Sequence, residues 1–336
     1  MVAAMQEIAA TYIPGLVPET LQVGSASNEQ GREFEVCVME FVEGITLQEA
    51  WDKMTGEDRI SVTADVVEAL SKLHSVRLSD AKVQTILRRV LGEGGDEVLE
   101  RAVIGGPSTG LLNDGPALLS AIEERRKLKK PFYAIQPLED PKGLVIESSF
   151  EDIGSTTVSD ADMEQWPKEA VFCHNDLTPR NLILQSSEDP GGDIEYKLVA
   201  IIDWELAGFY PPSYQLSLQD TYLSGGNQHL SFYLLLKERM KDTVPASPSQ
   251  VALLRAMELI FESQQRRLLE GMNVPANIRK RFREMLRLSR DEHPYVGWKC
   301  DTEGGAFPEL SRADAEQLED DVIEEMEKRR EAKAKL

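Results

Sequence analysis

The run Phe172-Cys173-His174-Asn175-Asp176-Leu177-Thr178-Pro179-Arg180-Asn181 sets a His-x-Asp-x-x-x-x-Asn spacing. A second carboxylate, Asp203, follows the apolar run Leu198–Ile202. Transfer of a phosphoryl group needs a carboxylate to orient or deprotonate the attacking hydroxyl, and hard oxygen ligands for magnesium. Asp176 fits the first task, where general-base help is worth about 10²–10⁴-fold. Asn181 and Asp203 fit the second, through a side-chain amide oxygen and a rigidly held carboxylate. His174 is expected to support the loop by hydrogen bonds. Arg180 would neutralise local negative charge or reach a phosphate, with a loop-stabilising ion pair as the alternative.

The elements that must position these groups are read from periodicity. Residues 1–10 read as a helix end, broken by Pro14, Gly15 and Pro18. Residues 21–23 and 33–41 read as two strands of a hairpin. Thr46 reads as the N-cap of a short helix. Residues 60–74, with Ile60, Ala64, Val67, Leu70 and Leu73 at helical spacing, form the clearest helix. A helix is expected near 117–129, and 140–165 is polar and weakly patterned. Gly105-Gly106-Pro107-Ser108-Thr109-Gly110 lacks the Gly-Lys-Ser/Thr ending of a phosphate-binding loop and reads as a surface loop. Residues 170–172 lead into the motif. Strands at 182–184 and 196–202 would flank the turn signal Asp189-Pro190-Gly191-Gly192. Helices are expected at 228–241, 248–269 and 276–291. The charged helix at 312–336 has little apolar face and reads as solvated.

Composition narrows the classes. The chain has 336 residues, 41% hydrophobic, enough for one large domain or two lobes. Its net charge of −21 argues against nucleic acid and anionic membrane surfaces as partners. Cys37, Cys173 and Cys300 are odd in number and widely spaced, which suits buried thiols in a reducing compartment rather than a disulfide framework. The four histidines show no metal-ligand spacing. The first cation is Arg32, so no charged leader precedes an apolar core, and no apolar run approaches the roughly 20 residues that span a bilayer. A cytoplasmic protein is expected.

The motif, together with Trp204-Glu205-x-Ala207-Gly208 and Tyr210-Pro211-Pro212, resembles the aminoglycoside phosphotransferase family of the protein-kinase-like superfamily, and within it the large group of fungal-type members. Choline and ethanolamine kinases are similar in the same loop. The resemblance runs from about residue 5 to residue 225. It implies an α+β, two-lobed protein-kinase-like fold with a mostly helical C-terminal lobe. Residues 1–41 would be the remnant of a small N-terminal lobe, 42–310 the helical lobe, and 311–336 a charged tail. It implies ATP as phosphoryl donor and Mg²⁺ as cofactor, with Asp176 as base and Asn181 and Asp203 as metal ligands. Met39-Glu40-Phe41-Val42-Glu43-Gly44 matches the family's hinge. By that match the Glu40 C=O and Val42 N–H would hold adenine, with Ile183 and Ile202 packed beneath the ring.

The family's small lobe also carries a Gly-rich strand pair over the phosphates and a strand lysine. Here no lysine precedes Lys53. The expected N-terminal lobe is therefore truncated, through a start placed too late or a genuine short form, and activity of this chain is expected to be low. A pseudokinase-like binding or regulatory module is the alternative. A protein kinase is disfavoured, since no activation segment ends in Ala-Pro-Glu. The acceptor would be a small-molecule hydroxyl. Glu205 and Asp220 would suit a cationic one, or else form solvated surface.

Overall fold

The computed structural model describes residues 1–125, 132–188, 194–221, 229–241, 243–300 and 310–334. The turn signal at 189–193 and the side chain of Asp220 fall outside the described residues. By internal contacts the chain forms two units, residues 1–125 with 164–215, and residues 126–163 with 216–336.

In the first unit, helix Val2–Tyr12 buries Ala4, Met5, Ile8 and Ala9 on one side. The hairpin strands Thr20–Ser27 and Glu33–Met39 pair antiparallel, from Ser27 opposite Glu33 to Thr20 opposite Met39. Asn28 Oδ1 closes the turn by accepting from the Gln30 and Arg32 N–H groups. Much of this hairpin's apolar content faces water, including Leu21, Val23, Val36 and Val38. Thr46 heads helix Leu47–Ala50 through a capping box with Glu49, as the sequence suggests. A second box, Thr55 with Asp58, starts helix Gly56–Leu73, which buries Val62, Val66, Ala69, Leu70 and Leu73.

Two small sheets carry the motif. One has the order Ile194–Ile201, Leu182–Glu188, Ile45–Thr46. The other has the order Gly110–Leu112, Ile104–Gly106, Gly208–Tyr210, Val171–Cys173. The second sheet corrects the reading of 105–110 as a surface loop. Ile104, Gly105 and Gly106 are buried. The hairpin approaches the neighbouring strand so closely that a Cβ on Gly106 would lie 2.6 Å from Ala207 O, and one on Gly208 would lie 2.8 Å from Gly105 O. Gly105 itself has φ +111, which only glycine adopts readily.

In the second unit, strands Tyr133–Glu139, Lys142–Ser148 and Ser155–Ser159 form an antiparallel sheet. Sequence periodicity leaves this region unassigned. The physical reason is shallow burial, with Tyr133, Ile146 and Val158 as its deeply buried large side chains. Helix Pro248–Glu270 packs on this sheet, where Ser263 Oγ donates to Ser148 Oγ at 2.8 Å. The helix expected over 276–291 instead spans Val274–Met285. Arg287 turns the chain left-handed at φ +50, and Leu288–Arg290 then pairs with Trp298–Cys300.

The last helix, Arg312–Ala334, is not a solvated tail. Ala315, Leu318, Val322 and Met326 are buried. The last three share a core with Leu230, Tyr233, Phe282, Leu286 and Trp298. Their spacing of three, four and four places them on one stripe. Dense charge on the remaining faces masks that stripe in the sequence. No described helix is long and apolar enough to cross a membrane.

Candidate functional site

The motif loop leaves strand Val171–Cys173, which is fully buried and pairs with Gly208–Tyr210. The Phe172 N–H also donates to Val76 O, tying the strand to the chain that follows helix Gly56–Leu73. Phe172 packs between Trp204 and Phe209, with ring centroids 6.1 and 5.3 Å away. Burial pushes the Cys173 thiol far above its ordinary value, so it is an inert core side chain.

His174 is completely buried, and its tautomer follows from its partners. Nε2 faces the Ile202 carbonyl at 3.0 Å, which can only accept. Nδ1 faces the Asp176 N–H at 3.1 Å, which can only donate. The ring is therefore neutral with its proton on Nε2, and it lies 4.5 Å from the Trp204 ring. It links the Asp176 backbone to the peptide before Asp203. Burial holds its pKa down at about 4, against an ordinary 6.5, outweighing the opposing bond to Ile202. Because the folded value is depressed, the stabilisation from a neutral His174 is complete above the unfolded value. It is lost as the pH falls from about 6.5 to about 4, by about 3 kcal/mol in all. Urea titrations across that window should show wild type losing this advantage over His174→Gln, which cannot titrate. A constant gap between the two would contradict the assignment.

The next residue, Asn175, takes φ +66, a conformation asparagine tolerates well. Its Nδ2 donates to Leu206 O at 2.9 Å. The His174 and Asn175 N–H groups both donate to Gln215 Oε1, at 2.9 and 3.3 Å. Gln215 is fully buried, so this one side-chain oxygen satisfies two backbone donors at the turn. Nothing in the sequence marks it: a lone glutamine inside a helix, 39 residues beyond Asp176, has no motif.

The Asp176 carboxylate is half-buried. Asn181, at the end of the 3₁₀ turn Pro179–Asn181, donates from Nδ2 to Asp176 O at 2.8 Å and to Asp176 Oδ2 at 3.0 Å. The Asp176 pKa is raised, first by burial and then by the Asp203 charge, with Glu205 adding to it. The Asn181 hydrogen bond and the exposed Arg180 act in the opposite direction.

Asp203 ends its strand at φ +67 and ψ 65. Its position is fixed through Ile202, whose N–H donates to Asn181 O at 2.9 Å and whose C=O meets His174. Trp204 Nε1 donates to Ile201 O at 3.0 Å and locks the other side. The Asp203 side chain is exposed, and no described residue donates to it. The structure thus brings His174, Asp176, Arg180, Asn181 and Asp203 together. The two carboxylates, beside an amide whose nitrogen is already committed, form an oxygen-rich set. That set fits a hard divalent cation completed by phosphate oxygens.

Residues 39–44, expected to form a hinge, belong to the same unit. The Glu40 N–H donates to Glu19 O at 2.8 Å, which ties the end of strand Glu33–Met39 to the start of strand Thr20–Ser27. Val42 is half-buried. Beyond it, a Cβ on Gly44 would meet Leu184 O at 2.4 Å, and Thr46 pairs with Ile183. The chain after the hinge therefore runs hard against the strand bearing Ile183. Ile183 and Ile202 are both half-buried.

Comparison with known proteins bears on this geometry. No curated protein matches the sequence. Among solved structures the chain resembles a thermostable mutant of aminoglycoside phosphotransferase APH(4)-Ia in ternary complex with ADP and hygromycin B. The identity is 15%, with 84% of this chain and 81% of that chain covered and a TM-score of 0.45. It also resembles APH(2")-IIa in a streptomycin–ATP complex, at 14% identity, 82% and 78% coverage and TM-score 0.38. ADP-bound APH(2'')-Ib is similar at 14% identity, 96% and 81% coverage and TM-score 0.35. A family model matches residues 1–218, a span that contains the whole hydrogen-bonded set from His174 to Gln215, and by that match the chain belongs to the phosphotransferase enzyme family.

Proposed function

We propose that this protein transfers a phosphoryl group from ATP, with magnesium, to the hydroxyl of a small molecule. The observation that carries the reading is the pinned set Asp176–Asn181–Asp203, in which backbone bonds through Ile202 and His174 fix the two carboxylates to one frame. Magnesium-bound ATP supplies the phosphoryl group and the charge neutralisation that its transfer requires. Asp176 orients the acceptor hydroxyl and takes its proton, and its raised pKa makes it a better proton acceptor than an ordinary carboxylate. Asn181 Oδ1 and the Asp203 carboxylate hold the metal. His174 keeps the loop in register, and Arg180 offsets negative charge beside Asp176. The Glu40 C=O and Val42 N–H hold adenine over Ile183 and Ile202. Three free cysteines accord with a reducing, cytoplasmic setting.

A second reading, a module that binds rather than turns over, rests on the exposed apolar side chains of the hairpin strands Thr20–Ser27 and Glu33–Met39. Thermal unfolding with and without ATP and magnesium separates the readings. Nucleotide at 100 times its dissociation constant should add about 2.7 kcal/mol of stability. No shift at millimolar nucleotide would favour the binding-module reading. Turnover against a panel of aminoglycosides, choline and ethanolamine would then identify the acceptor class.

A further inference from the structure

The second unit holds a cavity of about 540 Å³ walled by helices Pro248–Glu270 and Val274–Met285 and by the strand pair Leu288–Arg290 and Trp298–Cys300. That volume lies in the range of small-molecule sites. Its charge runs against the rest of the chain. Among the described residues that line it, five cations, Arg255, Arg266, Lys280, Arg283 and Arg290, face three carboxylates, Asp152, Glu258 and Glu262. The whole chain carries −21.

The inner wall is the more telling part. The Arg283 and Arg290 side chains are only 15% and 19% exposed. Both guanidiniums lie over the buried Trp298 ring, 4.7 and 4.3 Å from its centroid. Both share one carboxylate, Glu262, at 3.5 and 3.2 Å, and Arg290 also reaches Glu258 at 3.2 Å. Arg279 stands next to them, spending its Nε–H on the neutral Gln265 at 2.9 Å. Three half-buried guanidiniums thus gather around two half-buried carboxylates. Burial lowers the proton affinity of Arg279 and Arg283; for each a neighbouring guanidinium adds to this and Glu262 opposes it. At the rim, Arg255 has no ion pair with any described residue, and Lys280 has only the exposed Glu284 at 3.7 Å.

Buried cations are normally matched by anions, and a surplus in a concave, ring-backed site favours an anion from solution. Guanidinium forks suit phosphate and carboxylate oxygens alike. We propose that this cavity is a ligand site for a small multivalent oxyanion, one bearing several phosphate or carboxylate groups. The site is built wholly from the second unit and stands independently of the catalytic reading.

Isothermal titration of the full chain, without magnesium, tests this with sodium tripolyphosphate and with citrate as probes. Saturable one-to-one binding of at least one probe is expected, and the probe that binds distinguishes phosphate from polycarboxylate chemistry. The rim variant Arg255→Glu/Lys280→Glu, both exposed, should weaken binding about tenfold or more. Glu258→Gln removes a competing carboxylate and should tighten it, a gain that misfolding cannot produce. Asp203→Asn should leave it unchanged. Absence of saturable heat with both probes, an unaltered affinity in the rim variant, weaker or unchanged binding in Glu258→Gln, or an altered affinity in Asp203→Asn would each overturn the proposal.

Discussion

Exchange of Asp203 for asparagine is expected to reduce magnesium-dependent phosphoryl transfer by about 10²–10³-fold while leaving stability near that of wild type. The prediction combines two separate properties of the residue. Its backbone, at φ +67, belongs to the structural frame, because the flanking Ile202 peptide bonds to His174 and Asn181. Its side chain is exposed and has no described donor, so it contributes nothing to that frame. Asparagine keeps the left-handed conformation at little cost, and alanine would not. The substitution therefore removes the charge that would hold a divalent cation and leaves the loop as it is. It also removes the largest charge effect raising the Asp176 pKa. Whatever activity remains should show its acid limb displaced to lower pH. Single-turnover rates and a pH profile check both parts. A variant as fast as wild type would remove Asp203 from the mechanism.

Replacing Gln215 by leucine is expected to cost about 2–4 kcal/mol of stability and most of the activity. The His174 and Asn175 N–H groups both end on Gln215 Oε1, inside the protein. Removing that oxygen strands two buried donors, each worth about 1–3 kcal/mol unpaired. The buried Gln215 Nε2, which has no hydrogen-bond partner among the described residues, disappears at the same time and offsets part of the loss. Urea denaturation measures the total. A loss below about 1 kcal/mol would mean that the turn relaxes to find other acceptors.

The grouping of Asp176, Asn181 and Asp203 was legible in the sequence because it follows from local spacing, within one loop and one strand end. Thr46 was legible for a similar reason: a capping box is complete within four residues. Gln215 was not, since its role depends on where helix Pro212–Thr221 lies beside the turn. The 105–110 hairpin was misread because glycines signal turns on the surface and close backbone approach in the interior equally well. The sheet at 133–159 was missed for lack of a buried face deep enough to impose strict alternation on its residues. The final helix was misjudged because four apolar side chains in 23 residues suffice to dock it, too few to stand out against its charge.

The contact between Gly106 and Gly208 has an implication for how this protein varies. Neither residue carries a functional group, yet together they set the distance between strand Ile104–Gly106 and strand Gly208–Tyr210, whose other edge pairs with Val171–Cys173. A methyl group on either would lever those backbones apart and pass the displacement to the turn that begins at His174. The spacing of the reactive carboxylates is thus held in part by the absence of atoms, and drift at these two positions is closed to every side chain, however inert.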